Sequence, residues 1–458
     1  MPAVYRGTPR YSVVGMSDAS RTGVADPDAG SLAVATYPPP SVWTAGAIAA
    51  DALPVLDLPP VAGAPLGVYV HLPFCRQHCH FCCVPVVTGR SATDVDAYLR
   101  LIAGEWAQYG SRRAIEGRSP AYVYIGGGTP SLLVPAQLEG LAARLRGTLS
   151  WDHVEDVTVE CEPGTFTAET ARRLRAIGVT RLCLGAASFS RPALSRSGRG
   201  HRPSDIARAC RSARTAGLPH VEIELVAGLP GETDASWPLG VEQAVALDAD
   251  SVTIYQLEQI PATPIGTGTA PGAADLRAAL PPGATRRRWT RDAFDALEAA
   301  GYVMIDAYTA TRAPGRARPA HRDIAARGGD LVGLGVSSRG YVNGVLLQNV
   351  EDLDAYARAV SRGDLPLGRA HHASPDERLI REFALQLKQG SVRPAYFLEK
   401  FDVDLLKRFA SPFAMLRADG YLDDATPDDV RLTRDGLLRV DALLPRFFLP
   451  EHAFARSA

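Results

Sequence analysis

From residue 67 onward, short β-branched and aromatic runs alternate with stretches whose apolar residues recur every three or four positions. The runs 68–71, 122–125, 157–161, 181–185, 221–226 and 251–256 read as strands. Between them, 94–109, 134–146, 167–176, 203–216 and 235–246 read as helices. In PAQLEGLAARLRGTL, for example, Leu138, Leu141 and Leu145 fall at helical spacing. Strands alternating with helices predict parallel β/α units joined by right-handed crossovers. Six such strands are fewer than the eight of a closed barrel. The expected fold class is therefore α/β, a partial (β/α)6 barrel with its chemistry at the C-terminal ends of the strands.

The pattern changes on either side of this region. Residues 285–300 read as a helix and 302–306 as a strand, and GDLVGLG at 329–335 leads into a further strand. Helical periodicity then covers 351–362, 375–387, 393–400 and 403–419. Gly420-Tyr421-Leu422, VRLT at 430–433 and a helix over 434–447 follow, an order similar to a winged-helix module. Residues 1–60 are rich in Pro, Gly, Ala, Ser and Thr and read as an N-terminal extension. The expected domains are 1–60, a barrel over 61–345 and a helical domain over 346–458.

Composition narrows the function classes. The 458 residues carry 49 Lys+Arg against 50 Asp+Glu, so no global basic surface exists for a nucleic-acid backbone. No apolar run reaches membrane-spanning length, and MPAVYRGTPRYSVV lacks the charged and apolar regions of a signal peptide. A cytoplasmic chain with neither nucleic-acid nor membrane partner is expected.

Seven cysteines, four of them at Cys75, Cys79, Cys82 and Cys83, argue against a disulfide framework and for metal or redox chemistry. The spacing C-x3-C-x2-C ends the first strand. Three thiolates this close can hold a [4Fe–4S] cluster and leave one iron open to a small chelating molecule. Zinc is the competing reading, although structural zinc favours paired ligands at longer separation. Cys83 either packs or serves redox or proton delivery. Cys161, Cys183 and Cys210 read as buried core residues.

Tyr69-Val-His71-Leu-Pro-Phe-Cys75 followed by this spacing resembles the radical S-adenosylmethionine (SAM) enzymes. Within them it is similar to the oxygen-independent coproporphyrinogen III oxidase-like subfamily, which includes class C methyltransferases and cyclopropane-forming enzymes. The resemblance runs over about residues 65–445: GGGTP at 126–130, ECEPG at 160–164, RLCLG at 181–185 with Ser188-Phe189, Glu224 with GLPGET at 228–233, and Tyr255-Gln256-Leu257.

The resemblance implies that Cys75, Cys79 and Cys82 hold the cluster. His71, Gly127, Gly128, Thr129, Glu160, Arg199 and Glu224 would lie against SAM or the cluster, with Tyr69 and Cys83 as catalytic candidates. It further implies a second SAM, with 333–338 as a candidate wall, and an electron donor such as flavodoxin or ferredoxin. Several positions depart from the oxidase pattern. Val84 replaces a fourth Cys, Ala187 replaces a Gln, Glu224 replaces an Asp, and His321-Arg-Asp-Ile-Ala-Ala326 replaces the H-N-x-x-Y-W of the haem chaperones. From these departures the expected reaction is methyl or methylene transfer (methylation or cyclopropanation) from SAM to an sp2 carbon of an aromatic or heteroaromatic natural product. Coproporphyrinogen III decarboxylation is the alternative, and haem binding by a chaperone the third reading.

Overall fold

The computed structural model describes residues 37–258, 263–312, 319–423 and 428–452; of the extension expected over 1–60, residues 1–36 lie outside them. Six parallel strands form in the expected order: β1 (Leu66–Leu72), β2 (Pro120–Gly127), β3 (Asp156–Cys161), β4 (Arg181–Ala187), β5 (His220–Ala227) and β6 (Ser251–Gln256). The intervening helices are Ala92–Gly110, Pro135–Thr148, Ala168–Ala176, Pro203–Thr215 and Ser236–Ala246. Local chemistry sets their starts. Ser91 caps the first helix, accepting from Asp94 N at 3.2 Å, while its own N–H donates to the Asp94 carboxylate at 3.1 Å.

The sheet is wider than the alternation predicts. It also includes β7 (Val303–Met304), β8 (Thr309–Thr311), β9 (Asp330–Leu334), β10 (Arg339–Val342), β11 (Val345–Asn349) and β12 (Leu367–His372). Twelve strands run in the order β12-β11-β10-β9-β1-β2-β3-β4-β5-β6-β8-β7, so the sheet is open and passes residue 345. β9 pairs parallel with β1 on the side opposite β2, which places the motif strand in the middle of the sheet. Val68, Val70 and Leu72 join the main core with Leu99, Ile102 and Trp106 of helix Ala92–Gly110. Strand alternation then puts Tyr69 and His71 on the opposite face.

A second core is built on Phe383, whose ring lies 5.0 Å from Phe409 and 4.7 Å from Phe447. β13 (Ser391–Val392) and β14 (Val430–Arg431) form its small antiparallel sheet. The single helices expected over 403–419 and 434–447 are interrupted. The first divides into Leu405–Arg408 and Ala410–Ala418, the second into Arg434–Leu437, Val440–Leu443 and a 3-10 turn, Leu444–Phe447. Prolines explain the breaks at 409 and before Leu444: Pro412 and Pro445 lack the N–H that a continuous helix requires and sit instead in the first turn of a new segment. Residues 37–56 form a strap. Thr44 exchanges backbone hydrogen bonds of 2.9 Å with Ala370 on the edge strand β12, and Tyr37 enters the second core. No helix of the described residues is long and apolar enough to cross a membrane.

Candidate functional site

The site forms where β1, β2 and β3 end. The loop leaving β1 carries Cys75, Cys79 and Cys82, all half-buried, and the exposed Cys83. The loop is closed on itself, because Cys75 N donates to Val87 O at 3.1 Å and Val87 N to Pro73 O at 2.7 Å. Its far side rests on the 196–200 turn, where His80 N donates to Ser197 O at 3.0 Å. Thr129 Oγ1 approaches Cys75 Sγ at 3.4 Å and Arg199 Nη1 approaches Cys79 Sγ at 3.5 Å, so both donors face the thiols. Arg199 also donates to Gly185 O.

The glycine run after β2 is a cradle that side chains would fill. A Cβ at Gly126 would come within 2.6 Å of the Glu160 carboxylate, at Gly127 within 2.5 Å of the His71 ring, and at Gly128 within 2.6 Å of Phe74 O. Gly127 has φ +105, a left-handed conformation that glycine adopts without strain. Gly128 N and Thr129 N donate to Leu72 O and Phe74 O at 2.7 and 2.8 Å, which pins the cradle under the cysteine loop.

Acidic and neutral groups line the interior below. Glu160 accepts from Tyr124 Oη at 2.7 Å and from Gly127 N at 2.9 Å, yet burial still raises it above the usual carboxylate range. Burial, then the charges of Glu160 and Glu222, push Glu224 up to about 8. Tyr69 Oη lies 3.0 Å from His71 Nδ1; burial pushes that imidazole down to about 4 and holds the phenol protonated.

Sequence reasoning missed the floor. Cys183, read as core, lies with Glu222 and Glu224, their ligand atoms within 4.8 Å of one another. Glu222 is held by Arg181 at 3.3 Å and Thr253 Oγ1 at 2.6 Å. His321 meets the Tyr124 ring edge-on at 5.0 Å, and Arg322 pairs with Asp306 and donates to Thr309 Oγ1 at 2.7 Å. Only the alternation of Tyr122 and Tyr124 on β2 hinted at an inward face. The 333–338 segment packs behind β1: Gly335 N donates to Glu105 at 2.8 Å and Val336 N to Tyr98 Oη at 2.9 Å.

The donor set suits a sulfur-ligated iron cluster. Burial, the leading cause, pushes Cys75 up to about 11 and Cys82 up to about 12, so both keep their protons until a metal displaces them. Beside the thiols the glycine run packs so closely against Glu160, His71 and Phe74 that no larger residue fits there.

Residues 69–239 match the family model described as the Radical SAM superfamily. The chain is 28% identical over 397 residues to the oxygen-independent coproporphyrinogen III oxidase of Pseudomonas aeruginosa, covering 83% of this chain and 82% of that one. It is 26% identical to the heme chaperone HemW of Bacillus subtilis, covering 81% of this chain and 96% of that one. The structure of coproporphyrinogen III oxidase (HemN) from Escherichia coli superposes with a TM-score of 0.77 at 22% identity, over 90% of this chain and 96% of that one.

These relatives overturn the expectation of methyl or methylene transfer, since they are oxidases and heme chaperones. That expectation rested on departures, each of which has a place in the fold. Ala187 turns at φ +61 where β4 ends, Glu224 still faces Glu160 across the interior, and 321–326 forms barrel floor. A radical SAM domain works with a [4Fe–4S] cluster and SAM, and the thiols and cradle present here fit both. Residues 69–239 are thus similar to the Radical SAM superfamily, and the chain shares its fold with coproporphyrinogen III oxidase.

Proposed function

We propose that this chain oxidatively decarboxylates a carboxylate-bearing tetrapyrrole of the coproporphyrinogen III type. The observation that carries the reading is the extent of the likeness to the P. aeruginosa oxidase, 83% of this chain and 82% of that one, which takes in sequence well beyond the superfamily domain. The cluster and SAM, when bound, supply one-electron cleavage to methionine and a 5′-deoxyadenosyl radical. The protein holds and orients these groups and excludes water. Cys75, Cys79 and Cys82 ligate iron. Gly127, Gly128, Thr129, Glu160 and Glu224 bound the SAM pocket, and Arg199 holds the Cys79 side of the loop. Tyr69 keeps its proton beside a neutral His71, so neither adds charge next to the cluster. Cys83 is electrostatically coupled to Glu258 and Arg339 at the cleft and acts outside the ligand set. A small one-electron donor such as flavodoxin or ferredoxin docks over the cysteine loop, where the exposed Arg76 and Arg196 offer positive charge.

The test is an anaerobic incubation of reconstituted protein with SAM, a reductant and coproporphyrinogen III. Release of CO2 with matching methionine and 5′-deoxyadenosine is expected. SAM cleavage without CO2 release would sink the reading. Stoichiometric haem binding without SAM cleavage would move the assignment to the heme chaperone relatives.

A further inference from the structure

Helix Gly283–Ala299 follows β6, so its first turn stands at the end of the barrel where the strands finish. Packing fixes the place. Leu280, just before the helix, lies against a small cluster made by Ala187 at the end of β4, Leu229 beyond β5 and Leu257 beyond β6. Phe81 of the cysteine loop packs on the same cluster. A Cβ on Gly228, the residue after β5, would lie 2.4 Å from Arg286 Cδ and 3.4 Å from Pro281 Cγ. The chain between β6 and this helix also touches the cysteine loop, where Ile265 N donates to His80 O at 2.9 Å.

This helix start lacks acceptors. Pro282 at the cap position offers no side-chain oxygen, and no acidic residue occupies the first turn. Among the described residues the N–H groups of Gly283, Ala284 and Thr285 meet no acceptor. Arg286, only 3% exposed, folds back onto the same end. Its Nη1 donates to Pro281 O at 2.8 Å, while its buried Nε has no partner. A guanidinium carries five N–H donors, so one carbonyl leaves it mostly unsatisfied. Burial, then the charge of Arg287, holds Arg286 below its ordinary value, and Glu258 acts the other way. The helix dipole directs its positive end here too. A buried cation at the positive end of a helix is out of place by itself. An anion seated between the guanidinium and the three N–H groups satisfies both.

We propose that Arg286 and the first turn of helix Gly283–Ala299 form a subsite for a carboxylate of the substrate. The identity of that substrate rests on the decarboxylase reading. One acid arm held here anchors a substrate with several acid groups on the β5–β6 side of the mouth. Another arm is then free to reach toward the glycine run and the cysteine loop.

The probe is coproporphyrin III, the oxidised form carrying the same acid groups, measured against its neutral tetraamide by equilibrium dialysis with the full iron-loaded chain. Wild type should bind the acid and discriminate against the amide. Arg286→Gln should weaken acid binding about tenfold or more, the scale of one charge-assisted hydrogen-bond pair, with amide binding unchanged. Arg286→Lys should restore part of the loss. Thr285→Asp sets a carboxylate on the same N–H groups, so it should weaken acid binding several-fold without lowering the unfolding midpoint. Where Arg286→Gln fails to fold, Thr285→Asp decides alone. SAM affinity should stay at the wild-type value in every variant. Equal acid affinity in wild type and the folded variants, amide bound as tightly as acid, no binding of the acid at all, or SAM affinity falling in step with acid affinity would each overturn the subsite. Arg286-dependent acid binding by a wild type that releases no CO2 from coproporphyrinogen III would instead remove the decarboxylase reading and leave the carboxylate subsite standing. CO2 release with the same KM in wild type and Arg286→Gln would do the reverse.

Discussion

Glu105 illustrates how a single residue sets the frame of the site. Its fully buried carboxylate accepts from Gly335 N at 2.8 Å, Asn349 Nδ2 at 2.6 Å and Tyr356 Oη at 2.6 Å, tying helix Ala92–Gly110 to the turn behind His71. Burial outweighs these donors and pushes the group from its ordinary 4.5 up to about 7. The folded state therefore holds a proton that the unfolded chain releases between those values. The cost of burying Glu105 is absent below about 4.5, grows as pH rises, and is complete above about 7. At full extent it is on the order of 3 kcal/mol. Denaturant unfolding at a series of pH values should show a flatter pH dependence for Glu105→Gln than for wild type between pH 5 and 7. Identical slopes would contradict the assignment, whatever the variant's absolute stability. Nothing in the sequence announced this residue, because its partner Gly335 is 230 positions away. The cysteines and the glycine run were legible because their chemistry is local: three thiols on one loop, three glycines where backbone meets backbone. Arg322 and Cys183 were not, since each matters only through strands brought together by the fold.

At the scale of elements, the strap carries most of what the sequence concealed. Its composition resembles that of an irregular tail, yet Tyr37 is buried in the second core with its ring 4.5 Å from Phe448, and its hydroxyl receives Leu449 N at 3.1 Å. Tyr37→Ala should cost about 3–5 kcal/mol, the range for deleting a buried aromatic ring, read from the shift in denaturation midpoint at unchanged slope. An unchanged midpoint would mean that the strap is an ornament on a fold that stands without it. The six β/α units were readable because each alternates apolar runs with helical periodicity and begins at a local cap such as Ser91. The antiparallel strands β10 to β12 were harder. They are short, follow a GLG turn, and take their register from each other. The helix breaks at 409 and before Leu444 carried a signal in Pro412 and Pro445, but helical periodicity continued through it and masked them.

At the scale of the whole molecule, two cores are held as one by contacts between distant segments. Arg381 of helix Pro375–Lys388 lies 4.1 Å from the Tyr341 ring on β10, Gln256 at the end of β6 donates to Leu438 O at 3.0 Å, and Lys388 pairs with Asp441 beside Tyr308. A chain ending at residue 319 keeps the cysteine loop and the glycine cradle but lacks β9, one of the two neighbours of β1. After the same anaerobic reconstitution it should retain well under the full chain's iron, measured per chain by chemical assay. Equal retention would show that the loop closes on β2 and the 196–200 turn alone. The central position of β1 has a consequence for biogenesis. During synthesis, residues 66–72 emerge early, but their second neighbour, residues 330–334, is made only after most of the chain. The thiol loop is thus displayed on a half-formed sheet for much of translation, and long-range strand pairing is a slow step in folding. Iron and sulfur can therefore reach the loop before β9 closes the second side of β1.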